Sequence, residues 1–215
     1  MKFNRDHRKD RISKRTDITG MLVHLTKPNE SYFNSIDEEK INLRAVDILI
    51  SILEDSIIEG STTESGFIVG ENPAVCFQGV PLSSITQNIK YEQEKREEGL
   101  KKIRYCGIGL AFNKCYVFDN GGRPVFYEQT EKAKNILPEE EHWRIVNTNL
   151  PISGPNIIDW THEREWRIPG NFEFKRKWAH VILYDKMCWD YFHEKCPDNI
   201  IEEIFGITIL KGILM

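Results

Sequence analysis

Residues 159–168 form the stretch of this chain richest in side chains that can do chemistry, with two glutamates, two arginines, a histidine and two tryptophans. In an extended segment side chains alternate between faces, so Glu163, Glu165 and Arg167 would share one face. Two carboxylates that close repel each other, which raises the pKa of at least one of them unless nearby arginines keep both ionised. The pattern therefore predicts a half-buried strand that presents a pair of carboxylates.

The same pattern is also typical of an ordinary solvated strand. Glu163 and Glu165 could pair with Arg164, with Arg167 or with the basic run at 175–177. Exposed ion pairs of this kind contribute little, and a glutamate pair two residues apart is a short motif. The local sequence leaves the two interpretations open.

The first predicted strand, residues 19–26, supplies a second group of polar side chains. It follows a glycine turn, and its alternation places Leu22, His24 and Thr26 on one face. A single histidine on an apolar strand is more often a core residue with its hydrogen bonds satisfied. A binding role for His24 and Thr26 therefore depends on what lies elsewhere in the chain.

Helical periodicity is clearest in residues 41–58, where apolar side chains recur at three- and four-residue spacing. Gly60 stands where the C-terminus of such a helix favours glycine. Alternating acidic and basic residues at 91–102 indicate a second helix that faces solvent. A shorter helix is expected within residues 187–205.

Several short segments have the composition of strands. They are residues 74–77, 104–112, 121–127, 178–184 and 207–210. Small residues in segment 104–112 leave space for a ligand or for a neighbouring backbone. The order of elements lacks a regular strand–helix–strand alternation, so we predict an α+β fold with a mainly antiparallel sheet and flanking helices.

Length and composition predict a single domain at 19–215 behind a basic arm at 1–18, because no linker-like stretch divides the 215 residues. Residues 2–15 carry seven Lys or Arg against two Asp. This arm is either a solvated terminus or a contact for nucleic acid. The net charge of -4 argues against a protein that coats nucleic acid with its whole surface.

Hydropathy and cysteine spacing point to a cytoplasmic protein. No apolar run approaches the roughly 20 residues that cross a membrane, and the first residues do not resemble a secretory signal. The five cysteines are odd in number and include no C-x-x-C pair. We therefore expect no membrane partner, no disulfide framework and no zinc site.

Taken together, these motifs resemble two protein families. The H-x-T of the first strand, the V-x-F at 75–77 and the late strand bearing glutamate are similar to the DarT-type ADP-ribosyltransferases, which split NAD. Five segments resemble the AbiGi-type abortive-infection proteins, which defend bacteria against phage. These are residues 22–26, 75–82, 107–114, 121–127 and 159–168. The resemblance implies an ADP-ribosyltransferase-like fold.

The resemblance also implies roles for individual residues. Glu165 would be the catalytic glutamate, stabilising the positive charge that builds on the nicotinamide ribose as nicotinamide leaves. Glu163 would assist by positioning or deprotonating the acceptor. His24 would hydrogen-bond the ribose or carboxamide end of NAD, and Thr26 would help to orient it.

Further contacts to NAD are implied for aromatic and basic side chains. Phe77, Tyr105 and Tyr127 are candidates to stack on the nicotinamide ring, although core packing is the more common role of tyrosines. Residues 61–72 contain no arginine, whereas the DarT-type family brings one to the pyrophosphate from this loop. Arg123, Arg104 or Arg167 would have to replace it.

Two functions follow as hypotheses. The first is an NAD-dependent ADP-ribosyltransferase of bacterial phage defence or toxin–antitoxin type, which modifies a macromolecule, with nucleic acid the favoured acceptor. The alternative is a non-catalytic partner or antitoxin that binds a cognate protein and keeps the fold as a scaffold. A nuclease-like metal site at Asp159, Glu163 and Glu165 is disfavoured, because three oxygens from one short strand cannot all face one ion.

Overall fold

The computed structural model describes residues 4–28, 37–65, 67–99 and 102–214. Helices and strands alternate irregularly along the chain. In order they are α1 (Arg5–Ser13), β1 (Met21–Leu25), α2 (Glu38–Asp55), β2 (Ile57–Ile58), β3 (Ala74–Phe77), α3 (Leu82–Glu97), β4 (Gly109–Asn113), α4 (Lys114–Asp119), β5 (Arg123–Pro124), β6 (Phe126–Glu128), α5 (Thr130–Ile136), β7 (Ile145–Asn147), β8 (Trp166–Pro169), β9 (Phe172–Glu173), β10 (His180–Leu183), α6 (Lys186–Lys195), α7 (Asp198–Glu203) and β11 (Gly206–Ile209). No helix in these described ranges is long and apolar enough to cross a membrane.

The chain divides into two compact units, each made of three segments. The first unit comprises residues 1–22, 57–80 and 113–173. The second comprises residues 23–56, 81–112 and 174–215.

The first unit is organised around β8, which lies between β3 and β5 in an antiparallel three-stranded sheet. Cys76 on β3 and Arg123 on β5 both lie opposite Arg167. Two smaller pairs accompany this sheet, β2 with β9 antiparallel and β6 with β7 parallel. Arg167 on the central strand thus lies between Cys76 and Arg123 of the two flanking strands.

The second unit contains a four-stranded sheet in the order β1-β4-β10-β11. Strand β10 runs antiparallel to β4 and parallel to β11. Helix α2 packs against α6 and buries one face. The buried apolar side chains of that face are Ile41, Ala45, Val46, Leu49, Ile50 and Leu53.

The predicted α+β class with antiparallel sheets is confirmed. Strand β3 has the bounds expected from the sequence, and β10 falls within its predicted segment, whereas α6 and β11 each begin one residue before theirs. The ADP-ribosyltransferase-like arrangement, the single domain 19–215 and the boundary of the arm at residue 18 stay predictions. Within the arm, residues 5–13 form α1, which is capped by the Asn4 side chain and buries none of its residues.

The predicted helix ends were wrong in two places. Helix α2 ends at Asp55, and Ser56 follows it in the left-handed conformation with a φ of 58°. Gly60 is instead required for close packing. A Cβ at this position would lie 2.4 Å from the carbonyl oxygen of Gly170. Helix α3 runs from Leu82 to Glu97, so it starts well before the segment 91–102 in which a helix was expected and ends within it.

Among the small residues of segment 104–112, Gly109 makes space for a neighbouring backbone. A Cβ on Gly109 would lie 2.0 Å from the carbonyl oxygen of His24 and 2.9 Å from the Cα of Leu25. The absence of a side chain thus lets the backbone of β4 approach the neighbouring backbone of β1.

We predict that Gly109→Ala destabilises the protein, because the added methyl group would collide with backbone atoms that cannot move independently. The expected loss in the free energy of unfolding is about 1–3 kcal/mol or more, measured by urea denaturation. Gly212→Ala is the matched control, since no described atom lies within 4 Å of a Cβ at that position. Equal stability of both variants would contradict the close approach.

Candidate functional site

Residues 159–168 do not form one continuous strand, so the prediction of a shared face for Glu163 and Glu165 was wrong. Residues 161–163 form a 3₁₀ turn, Arg164 is left-handed with a φ of 48°, and β8 begins at Trp166. The cause is local. The Asp159 carboxylate accepts hydrogen bonds from the backbone N–H of Thr161 (2.9 Å) and from its hydroxyl (2.6 Å). A short Asp side chain that bonds the backbone two residues on is a turn signal.

Glu165 and Arg167 form a buried ion pair. Glu165 is 7% exposed and Arg167 is 3% exposed. Arg167 Nε donates to Glu165 Oε1 at 2.7 Å. Its Nη1 donates to the carbonyl oxygens of Trp143 (2.8 Å) and Ile145 (3.1 Å), and its Nη2 to that of Phe67 (3.2 Å). The interpretation as a solvated strand paired Glu165 with an arginine. Such a pair is present, but it is buried.

The electrostatics of this pair follow from its burial. Removal from water disfavours the charge on Arg167, but the Glu165 carboxylate outweighs that effect, so the pKa of Arg167 is raised above its usual value. Cys76 lies opposite Arg167 on β3. Burial, reinforced by the charge of Glu165, raises the pKa of the Cys76 thiol above its ordinary range. Cys76 is therefore a protonated, unreactive thiol at neutral pH.

Tyr127 contacts Glu165 through the main chain. The backbone N–H of Glu165 donates to Tyr127 Oη at 2.8 Å. Burial raises the pKa of Tyr127 to about 12, and the nearby charges of Glu165 and Glu163 act in the same direction. The structure thus brings together two residues that the sequence singled out separately, with a hydroxyl that stays protonated at neutral pH.

Glu163 lies in the turn just before this pair. Its side chain is half-buried. Its carbonyl oxygen accepts from the N–H of Gly79 at 3.0 Å, and a Cβ on Gly79 would lie 2.6 Å from the carbonyl oxygen of Arg164. Glycine at position 79 therefore lets the turn pack against the chain that follows β3.

Phe77 lies on the other side of β3 from Cys76, since successive side chains of a strand alternate. It is 1% exposed and packs edge-on against Phe172, with ring centroids 5.8 Å apart. Its partner in the sheet is Trp166, whose ring lies 5.5 Å from the ammonium group of Lys114. Phe77 is thus a core residue in this conformation, without an open face for a nicotinamide ring.

Arg123 lies at the margin of a cleft of about 460 Å³ in the first unit. Its Nη1 donates to the carbonyl oxygens of Phe118 (3.0 Å) and Gly122 (2.7 Å), and its guanidinium lies 4.1 Å from the centroid of the Phe118 ring. Glu140 and Glu141 line the same cleft. The cleft therefore combines one guanidinium with two carboxylates.

The remaining predicted site residues belong to the second unit. Thr26 is 3% exposed, and its hydroxyl is within hydrogen-bonding distance of the carbonyl oxygens of Ala45 (3.3 Å) and Ile108 (3.2 Å). His24 is half-buried on β1, and Tyr105 is half-buried in the segment before β4. The hydroxyl of Thr26 is thus already used to hold the backbone of that unit together.

Sequence reasoning found Glu165, Glu163 and Tyr127 but missed two polar neighbours, Cys76 on β3 and Gln78 directly after it. The available signal was the alternation of β3 itself, which places these two side chains on the face opposite to Val75 and Phe77. Nothing in the local sequence indicates that this face meets Glu165 and Arg167, because the pairing partner lies about 90 residues later in the chain.

We predict that Arg167→Lys lowers the free energy of unfolding by at least about 2 kcal/mol, because an ammonium group cannot replace the planar fork and would leave buried carbonyls without donors. The measurement is urea denaturation. Arg44→Lys is the control, because Arg44 pairs with Asp47 on the exposed side of α2 (3.2 Å). That change should alter stability by less than about 0.5 kcal/mol. Similar effects of the two substitutions would show that the buried network is not a main stabiliser.

We predict a pH effect that depends on Tyr127. Because the pKa of Tyr127 in the folded protein is raised to about 12, the unfolded chain loses this proton first, at a pH of about 10. The stabilisation is complete below about pH 10 and is lost as the pH rises towards 12. The free energy of unfolding of the wild type should therefore fall more steeply over this range than that of Tyr127→Phe. Parallel curves would contradict the assigned environment of Tyr127.

Comparison of the chain with models of protein families, with curated proteins and with solved structures finds no match.

Proposed function

We propose that this chain is an NAD-dependent ADP-ribosyltransferase-like protein of bacterial phage defence or toxin–antitoxin type, which modifies a macromolecule. The observation that supports this most is the fixed carboxylate of Glu165. Its Oε1 is held by Arg167, its backbone N–H is held by Tyr127, and the side chain is 7% exposed. A carboxylate that is already positioned and largely shielded from water does not have to reorganise to stabilise a positive charge.

NAD, when bound, supplies a ribose that becomes positively charged as nicotinamide leaves. The roles of the chain's own residues follow from where they lie. Glu165 would place its negative charge beside that sugar, and Glu163, in the adjoining turn, would position the acceptor or take up its proton. The hydroxyl of Tyr127 fixes the main chain of Glu165 and keeps its own proton at neutral pH.

The other residues proposed for NAD fit that role unequally. The half-buried ring of Tyr127 remains the stacking candidate in the first unit, whereas Phe77 is enclosed in the core. Arg123 provides a cation for a phosphate, but Glu140 and Glu141 in the same cleft weaken its preference for an anion. In the second unit, His24 and Tyr105 remain candidates.

The favoured acceptor is nucleic acid, because of the basic helix α1. Its side chains include Arg5, Arg8, Lys9 and Arg11, and none of its residues is buried. Exposed cations on one short element can neutralise backbone phosphates without any sequence preference. An acceptor bound in this way would be captured less well at high salt.

A second function is favoured by a different observation. Thr26 is buried with its hydroxyl engaged in the core, and the charge of Glu165 is paired with that of Arg167. Side chains whose hydrogen bonds and charges are already satisfied within the protein can stabilise a scaffold as readily as they can take part in a reaction. The chain would then be a non-catalytic partner or antitoxin component of an abortive-infection system, which binds a cognate protein.

The decisive experiment compares wild type with Glu165→Gln. We expect wild type to bind NAD in calorimetric titration and to release nicotinamide when nucleic acid is added. In Glu165→Gln nicotinamide release should fall by about 100-fold or more, because the fixed negative charge is gone. Thermal unfolding of the variant, followed in parallel, separates loss of the charge from loss of the fold.

Glu173→Gln is the matched control, because Glu173 is an exposed glutamate on β9, and we expect it to release nicotinamide at the wild-type rate. If wild type neither binds millimolar NAD nor releases nicotinamide, the transferase proposal is wrong and the non-catalytic partner is favoured.

A further inference from the structure

Gln78 directly follows β3, and its side chain carries a buried polar atom that has no assigned role in the proposed site. Its side chain is 7% exposed. The amide oxygen Oε1 is enclosed and, within the part of the chain that the structure describes, accepts no hydrogen bond. A buried carbonyl without a donor is costly, which makes such an atom rare in native structures.

The register of the sheet places Gln78 beside Glu165. Phe77 lies opposite Trp166, and the N–H of Gly79 donates to the carbonyl oxygen of Glu163 at 3.0 Å. Gln78, between these two contacts, therefore runs alongside residues 164 and 165.

The face is indicated by Cys76. It lies opposite Arg167, whose Nε donates to Glu165 Oε1 at 2.7 Å. Because side chains alternate along β3, Gln78 lies on the same face as Cys76. Two observations thus put the amide oxygen of Gln78 on the side of the sheet where the Glu165 carboxylate lies.

The chemistry of this pair defines what can satisfy it. An ionised carboxylate only accepts hydrogen bonds, and an amide oxygen only accepts them as well. The three nitrogens of Arg167 already donate to Glu165 and to three backbone carbonyls. The N–H₂ of Gln78 is a donor, but it cannot satisfy the oxygen of its own amide, so that oxygen needs a donor from another group.

We propose that Gln78 is a ligand-binding residue, which together with Glu165 forms a pair of acceptors just beyond the paired ends of β3 and β8 for a ligand group with two hydrogen-bond donors. Such a group is either a pair of neighbouring hydroxyls on a ribose or the N–H₂ of a carboxamide. The inference rests on the proposed function, because NAD carries both groups.

The test is calorimetric titration of NAD and of ADP-ribose into wild type and Gln78→Met. Methionine keeps the length of the side chain and removes the carbonyl. We expect NAD affinity to fall by about tenfold or more, which is the loss of roughly one hydrogen bond to a buried acceptor. The melting temperature should stay the same or rise, because a buried acceptor without a donor has been removed. Gln78→Leu provides a second apolar replacement in case methionine does not pack.

The ADP-ribose arm identifies the donor. Weaker binding of both ligands by Gln78→Met would assign the contact to ribose hydroxyls, since ADP-ribose lacks the carboxamide. Weaker binding of NAD alone would assign it to the carboxamide. Gln87→Met, on the exposed side of α3, is the control and should bind NAD as wild type does.

The two proposals fail in different ways. If wild type binds NAD and Gln78→Met binds it with the same affinity, Gln78 is a structural residue and this inference is overturned while the proposed function stands. If wild type does not bind NAD, the proposed function and the role of Gln78 fall together.

Discussion

The first unit depends on the burial of one guanidinium group. Arg167 is 3% exposed at the centre of a three-stranded sheet, and a charge in that position is tolerable only if it is paired and hydrogen-bonded. The planar fork of arginine meets this need, since its donors reach one carboxylate and three main-chain carbonyls. Those carbonyls belong to Trp143, Ile145 and Phe67. One side chain on β8 thereby fixes two segments far apart in the sequence.

The same group both supports and opposes a catalytic role for Glu165. Arg167 immobilises the carboxylate, which favours electrostatic catalysis, but it also cancels part of the negative charge that such catalysis uses. Tyr127 reports the balance between these effects. Burial is the main cause of its raised pKa, the charges of Glu165 and Glu163 act in the same direction, and the charge of Arg167 acts against them.

The sequence predicted elements better than it predicted their junctions. Strand β3 was found with correct bounds because Ala74–Phe77 is a compact apolar run between turn residues. The end of α2 was missed because Ser56 adopts the left-handed conformation more usual for glycine. Glu163 was misplaced because the Asp159 carboxylate accepts hydrogen bonds from Thr161 and turns the chain just before β8. Such interactions are local but individually weak, so periodicity does not reveal them.

The candidate site itself was predictable only in part. Glu165 could be singled out from its sequence neighbours, but its burial is set by partners from β3, from residues 143–145 and from Phe67. No local pattern specifies contacts at such separations. Gly109 shows the same limit, since the sequence marked the position as one of close approach without deciding between a ligand and the backbone of β1.

The buried acceptors that lack a donor help to separate a binding site from a scaffold. In the second unit, Glu92 Oε2 and Arg96 Nη1 are both enclosed and have no hydrogen-bond partner among the described residues, one being an acceptor and the other a donor on the same helix. Charges of opposite sign four residues apart can be bridged by one buried water, so this pair needs no ligand. Gln78 differs because the side chain expected beside it, Glu165, is itself an acceptor. A glutamine can direct its N–H₂ at a carboxylate, but its own oxygen then still lacks a donor, which a ligand group would supply.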